Sequence, residues 1–163
     1  MGCCLLQRSA PEAKFRIPRL KQGDVKSHDK LWRPQLHLIG VHVAGVGEYV
    51  YLTDCDVCKD SNLQITVLGR TIDLIKARLE ELKVSLPQHL VVVADNTCRE
   101  NRNQYVLGFL AKLVCQGLFR SASTEYAEVG HTHNIQDQRF FILASALARQ
   151  PVLQDLQAHA VMR

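Results

Sequence analysis

The sequence predicts an α/β fold, with a mixed sheet of at least four strands and helices on both faces. Three observations predict it. Two apolar segments around a glycine-rich turn are typical of a β-hairpin. Later segments carry apolar residues at steps of three and four, as amphipathic helices do. Short β-branched runs alternate with these helices, giving the order hairpin, helix, strand, helix, strand, helix, which implies right-handed crossovers.

The hairpin is predicted at residues 36–43 and 49–52, with the turn at residues 45–47. The first helix is predicted downstream, where an apolar stripe runs opposite charged positions. Ser61 or Asn62 is expected to cap this helix at its start. The predicted stripe consists of Leu68, Ile72, Ile75, Leu79 and Leu82.

The apolar run 90–93 is predicted to be a strand buried on both faces, because it is short, β-branched and does not alternate. Residues 105–116 are predicted to form a second helix that stops at Gly117. A further strand is predicted at residues 123–129, and a third helix from about residue 134. Asp95 directly follows the central run, where α/β proteins place ligands and metals. The alternative is that Asp95 only closes a turn or caps a helix.

The composition indicates one globular domain in a chain of 163 residues. No apolar run reaches the roughly 18 residues that a transmembrane helix needs, and the start does not resemble a secretory signal. Six cysteines without such a signal favour a reducing compartment. We therefore expect an intracellular protein, nuclear or cytoplasmic and not secreted. The expected division is an irregular basic arm at 1–34, the α/β domain at 35–150 and a short helix or tail at 151–163.

The basic arm holds most of the excess positive charge. Residues 1–35 contain eight Lys or Arg and three acidic residues, in a chain of net charge +4. Such a segment can contact phosphate groups, so nucleic acid is the partner that the sequence suggests. The alternative is a solvated tail without a partner. The sequence makes no prediction of oligomeric state.

Two polar clusters follow predicted strands and are the candidates for chemistry. The first begins at Asp95, and the second contains His131 and His133 and leads to Asp137. If the two strands are neighbours, both clusters open on the same edge of the sheet. The two carboxylates could then hold Mg²⁺ or Mn²⁺, although two-metal phosphoryl transfer normally needs a third acid. The two histidines with Asp137 could instead bind Zn²⁺, or could be ordinary polar residues of a turn.

The same clusters carry a resemblance to a known family. Asp-Asn-x-x-x-Glu-Asn-Arg-Asn before an apolar helix, and Gly-His-Thr-His-x-x-x-Asp-x-x-Phe, resemble uncharacterised domains of transposon-associated eukaryotic proteins. Those domains are similar to ribonuclease H, DDE transposases and retroviral integrases. The resemblance also includes residues 13–19 and covers about residues 13–150. The matching residues of the two motifs are Asp95, Asn96, Glu100, Asn101, Asn103, Gly130, His131, Thr132, His133, Asp137 and Phe140.

The resemblance implies a ribonuclease-H-like order of three antiparallel strands, helix, strand, helix, strand, helix. In that fold the first acid lies on the first strand, the second at the end of the fourth strand and the third on the last helix. Asp95 then resembles the second acid and Asp137 the third, both as ligands of Mg²⁺ or Mn²⁺. His131 or His133 would orient the site or a substrate phosphate. The residues assigned to substrate positioning are Asn96, Glu100, Asn101, Asn103 and Thr132.

The chain departs from the family where the first acids should stand. The family has an acid-bearing segment just before the residue-13 motif, and here residues 8–12 read Arg-Ser-Ala-Pro-Glu. We therefore expect a truncated copy whose first strand is missing or degenerate and which is catalytically inactive. The ancestral reaction would be metal-dependent phosphodiester cleavage or strand transfer on nucleic acid. The alternative is a non-enzymatic module that binds protein or nucleic acid.

Overall fold

The computed structural model describes residues 2–9, 19–20, 36–54, 56–126, 138, 140, 142 and 152–153. The elements in chain order are β1 (Gly2–Ser9), β2 (Arg19–Leu20), β3 (His37–Val43), β4 (Gly47–Thr53), α1 (Ser61–Glu81), β5 (His89–Ala94), α2 (Gln104–Cys115), β6 (Ser121–Tyr126) and β7 (Val152–Leu153). Five strands form one sheet in the order β4-β3-β1-β5-β6, and β2 pairs with β7 separately.

The pairing directions confirm the predicted α/β fold class. β1 is antiparallel to β3, and β3 is antiparallel to β4. β5 is parallel to both of its neighbours, β1 and β6. Helix α2 connects the parallel strands β5 and β6, as the crossover of a βαβ unit does. This mixed sheet of three antiparallel strands followed by a helix, a strand, a helix and a strand is consistent with a ribonuclease-H-like fold.

The expectation of a missing or degenerate first strand is wrong. β1 spans eight residues at the centre of the sheet, so residues 2–9 belong to the domain and not to an irregular arm. This strand was not predicted from the sequence because its apolar run, residues 3–6, is short and is followed by the polar residue Gln7. Gln7 nevertheless lies on the buried face with Cys3 and Leu5, since alternate residues of a strand share one face.

Both long helices pack against the same face of the sheet. Asp60, and not the expected Ser61 or Asn62, caps α1: its Oδ1 accepts the backbone N–H of Asn62 at 2.9 Å and of Leu63 at 3.2 Å. The predicted stripe is buried except for Leu82, which lies beyond the last helical residue. The shared core consists of Cys3, Leu5, Ile39, Val41, Val43, Leu63, Val67, Leu68, Ile72, Ile75, Leu79, Leu90, Val92, Val106, Leu110, Leu113 and Phe119.

The carboxyl-terminal elements are only partly described. Residues 138, 140 and 142 are helical and Phe140 is buried, in the region of the predicted third helix. Of residues 151–163, for which a short helix or tail is expected, the structure describes only Val152–Leu153, which form β7 against β2. Two aliphatic residues carry no helical period, so only the distant strand partner fixes their conformation. Within the described residues, no helix is both long and apolar enough to cross a membrane.

Candidate functional site

The carboxyl ends of β1 and β5 lie side by side, because the two strands are parallel neighbours with Leu6 opposite Val93. The loop of residues 95–103 leaves this edge and leads into α2. The first turn of α1 reaches the same edge through Gln64. This is the place at which α/β folds collect polar side chains, and two separate hydrogen-bonded groups occupy it.

The first group, the Asp95 turn, consists of Asp95, Thr97 and Asn101. Oδ1 of Asp95 accepts the Thr97 hydroxyl at 2.7 Å and also accepts Nδ2 of Asn101. The backbone N–H of Asn101 donates to the Thr97 carbonyl at 2.9 Å. Asn101 is 7% exposed, so its side-chain amide depends on these protein acceptors. Asp95 therefore shapes the loop that follows β5.

The second group, the glutamine cluster, consists of Gln7, Gln64, Glu100 and Ser9. Oε2 of Glu100 accepts Nε2 of Gln64 at 3.1 Å and the Ser9 hydroxyl at 3.3 Å. Nε2 of Gln7 donates to Oε1 of Gln64. Gln7 is 2% and Gln64 1% exposed, so the cluster runs from the loop into the core. Oε1 of Gln7 is buried and accepts no hydrogen bond within the described part of the chain.

Asn103 caps the second helix. Its Oδ1 accepts the backbone N–H groups of Tyr105 and Val106, each at 3.1 Å. Its Nδ2 lies 3.1 to 3.3 Å from the carbonyl oxygens of the three residues 98–100. A side chain that uses both its oxygen and its amide inside the loop has a structural role.

The charged side chains of the loop divide by sign. Asp95 and Glu100 face protein donors, as described above, whereas Arg99 and Arg102 are exposed. Nη1 of Arg102 donates to Oδ1 of Asn96 at 3.3 Å, and the guanidinium lies 6.0 Å from the centre of the Tyr126 ring. The loop thus presents cationic groups beside an aromatic ring at the end of β6.

Residues 26–161 match a family described as a domain of unknown function (DUF7869). The chain belongs to this family. The match begins after β1, so the strand at the centre of the sheet precedes the matched residues. A comparison with curated proteins finds no match. The description of the DUF7869 family names no reaction, ligand or partner.

The structure brings together five of the predicted site residues, which are Asp95, Asn96, Glu100, Asn101 and Asn103. The others, His131, Thr132, His133 and Asp137, lie outside the described residues. Sequence reasoning missed Gln7, Ser9 and Gln64. One signal for Gln64 was available, because it stands four residues before Leu68 on the apolar stripe of α1. No local signal pointed to the other two.

The residues described at this edge do not fit a two-metal site. β1 contains no Asp or Glu, and its side chain at the site is the neutral amide of Gln7. Asp95 and Glu100 each use a carboxylate oxygen to accept two protein hydrogen bonds. Among the described residues, no group of three His, Cys, Asp or Glu side chains could hold a metal ion. Divalent cations need several oxygen ligands around one point, and here Oδ1 of Asp95 and Oε2 of Glu100 already accept hydrogen bonds from the protein.

Proposed function

We propose that this chain is a ribonuclease-H-like domain, of transposase or integrase descent, that has lost metal-dependent phosphodiester chemistry. One observation carries the proposal: the first strand is present and central, yet it contains no Asp or Glu, and the side chain that it contributes to the polar cluster is the amide of Gln7. Two-metal catalysis requires carboxylates that clamp both ions. A neutral amide that donates to Gln64 cannot replace one of them.

Thermal unfolding with and without Mn²⁺ tests this proposal on the full chain. A cation at 100 times its dissociation constant would add about 2.7 kcal/mol to the free energy of unfolding, which is a shift of several degrees. We expect no such shift in the parent protein or in Asp95→Asn. A shift in the parent that Asp95→Asn abolishes would contradict the proposal. So would Mn²⁺-dependent cleavage of a labelled oligonucleotide that Asp95→Asn removes.

We further propose that the retained role is to bind nucleic acid without cleaving it. The support is the charge distribution of the loop, whose acids face the protein while Arg99 and Arg102 are exposed. Tyr126 lies beside the Arg102 guanidinium. Arginine next to an aromatic face suits a phosphate and a stacked base of a single strand. The basic residues of the segment 10–34, most of which lie outside the described residues, would add phosphate contacts. This role implies an intracellular location, nuclear or cytoplasmic.

Fluorescence anisotropy with a labelled single-stranded oligonucleotide tests the binding role across a salt series. Arg99→Ala with Arg102→Ala should weaken binding and reduce the slope of log K against log salt by about one for each lost phosphate contact. The matched control combines Arg70→Ala with Arg120→Ala, which removes the same charge from exposed sites on α1 and before β6. Equal losses in the two double variants would mean that only net charge matters. Absence of binding by the parent would also contradict this role.

A further inference from the structure

β4 is one of the two edge strands of the sheet, and within the described ranges it pairs on one side only, with β3. Its sequence, Gly-Glu-Tyr-Val-Tyr-Leu-Thr, contains no Pro or Lys and is strongly β-forming. Natural proteins usually protect an edge strand with Pro or Lys, with a β-bulge, or by keeping the strand short. β4 spans seven residues in continuous register and has none of these features.

The side chains around this edge are apolar and accessible. Val50 is 55% exposed, and Leu52 is also exposed on the same face of the strand. On the other face, a shallow groove of about 330 Å³ lies between β4 and α1. Its lining combines apolar residues with charged ones: Val46, Tyr49, Leu74 and Ala77 beside Glu48, Arg78 and Glu81. Leu74 is itself exposed. An unpaired strand edge flanked by apolar side chains on both faces is a surface suited to adding another strand.

We propose that the partner is a second copy of this chain, paired β4 to β4 in antiparallel register about a two-fold axis at Val50. The segment Tyr49-Val50-Tyr51 reads the same in both directions. In this register the two Val50 side chains face each other and Tyr49 lies opposite Tyr51 of the partner copy. Cross-strand pairs of aromatic and of β-branched side chains stabilise antiparallel strands. This self-complementarity favours a second copy over an unrelated peptide.

The rest of the structure accommodates such a pair. The Tyr51 hydroxyl lies 2.7 Å from the Thr71 hydroxyl of α1, so the two tyrosine pairs would lie on the helical face of the joined sheet. The α1 helices would then approach each other near Leu74. A seven-residue strand pair is small beside a standard protein interface. The dimer is therefore weak and depends on protein concentration.

Sedimentation equilibrium of the full chain over a concentration series tests the pairing. The parent should change from a mass of 18.4 kDa towards twice that value as its concentration rises. Val50→Lys places two like charges opposite each other and should raise the dissociation constant about tenfold or more. Leu107→Lys is the matched control, because Leu107 is 51% exposed and lies on α2, which joins β5 to β6 at the other side of the sheet. It should associate as the parent does. Circular dichroism checks that each variant is folded.

Leu52→Lys tests the register. In the proposed pairing residue 52 lies opposite Glu48 of the partner copy, so the new lysine would form an opposite-charge pair twice across the axis. We expect this variant to dimerise at least as tightly as the parent, although it adds the same charge as Val50→Lys. A parent that is monomeric at every concentration would overturn the proposal. So would a Val50→Lys protein that associates like the parent, or a Leu52→Lys protein that loses association.

Discussion

Two polar groups hold the loop of residues 95–103 at the carboxyl edge of the sheet, and they do so over different distances along the chain. The contacts of the Asp95 turn join residues at most six positions apart. The contacts of the glutamine cluster join residues 91, 57 and 36 positions apart. The first group shapes the loop itself, and the second fixes the loop to β1 and α1.

The difference concerns what each group needs before it can form. The Asp95 turn needs only its own segment, as an Asx-type turn does. The glutamine cluster needs β1 and α1 already docked, because Gln7 and Gln64 are both buried between them. A buried polar group that loses its hydrogen-bond partner costs about 1–3 kcal/mol. The glutamine cluster should therefore fix the register of α1 on the sheet, and its disruption should cost more.

The largest expected effect is that of Gln64→Leu, which keeps the side-chain volume but removes the central partner of the glutamine cluster. Gln7, which is buried, and Glu100, which is half-buried, would each lose a hydrogen bond. Leaving buried polar groups unsatisfied costs about 1–3 kcal/mol each, so we expect a loss of roughly 3 kcal/mol in the free energy of unfolding. Urea denaturation with a constant m-value measures it.

Two variants show whether this loss comes from the unsatisfied amide. Gln7→Leu combined with Gln64→Leu removes both amides and should recover part of the stability, because replacing both partners by apolar groups can be nearly neutral. Gln104→Leu changes an exposed glutamine at the start of α2 and should stay within about 0.5 kcal/mol of the parent. A double variant no more stable than Gln64→Leu would contradict the account of the cluster.

Asp95→Ala should have the next largest effect, at about 2 kcal/mol. It removes the acceptor on which the buried amide of Asn101 depends. Asp95→Asn retains a side-chain oxygen and should cost less than about 1 kcal/mol. The same urea titration measures both variants. Equal costs would show that the carboxylate charge, and not the shape of the turn, is what the loop requires.

The same contrast explains how much the sequence could predict. The turn at Asp95, which was one of two alternatives for this residue, could be predicted because Asp closes turns by contacts within a few residues. Strand β5 and helices α1 and α2 could be predicted because a short β-branched run and a helical period are both local signals. These predictions depend only on neighbouring positions, and the structure has them as expected.

β1 and the glutamine cluster could not be predicted in this way. The identity of residues 2–9 as a strand depends on β3 and β5, which are far along the chain and supply its hydrogen bonds on both sides. Gln7 looks like the end of an apolar run until Gln64 is placed beside it. The expected loss of the first strand was inferred from the loss of its acid. The structure separates the two, because the strand is present and carries an amide.

Asn103→Ala should lower the free energy of unfolding by a smaller amount, because Asn103, like Asp95, makes its contacts within a few residues of the chain. It removes the cap of α2 and should cost about 1 kcal/mol. Asn103→Asp retains an oxygen acceptor at the helix start and should preserve most of the stability. If Asn103→Ala instead left stability unchanged but weakened oligonucleotide binding, the assignment of this residue to substrate positioning would be favoured over its capping role.

The smallest effect is a pH dependence from the Cys3 thiol of β1. Burial raises the pKa of the Cys3 thiol above its ordinary value of 9.0, and the neighbouring Cys4 raises it further. Above about pH 9 the unfolded chain therefore loses a proton that the folded chain retains, so the free energy of unfolding falls as pH rises towards the folded pKa. Urea titrations between about pH 8 and pH 10 should show this decline in the parent and less of it in Cys3→Ala.

Cys115→Ala is the control, because Cys115 is exposed at the end of α2, and its free energy of unfolding should fall with pH as that of the parent does. Equal slopes in the parent and Cys3→Ala would mean that β1 is more open to water than the buried positions of Cys3 and Gln7 imply. Disruption of the glutamine cluster would then be expected to cost no more stability than disruption of the Asp95 turn.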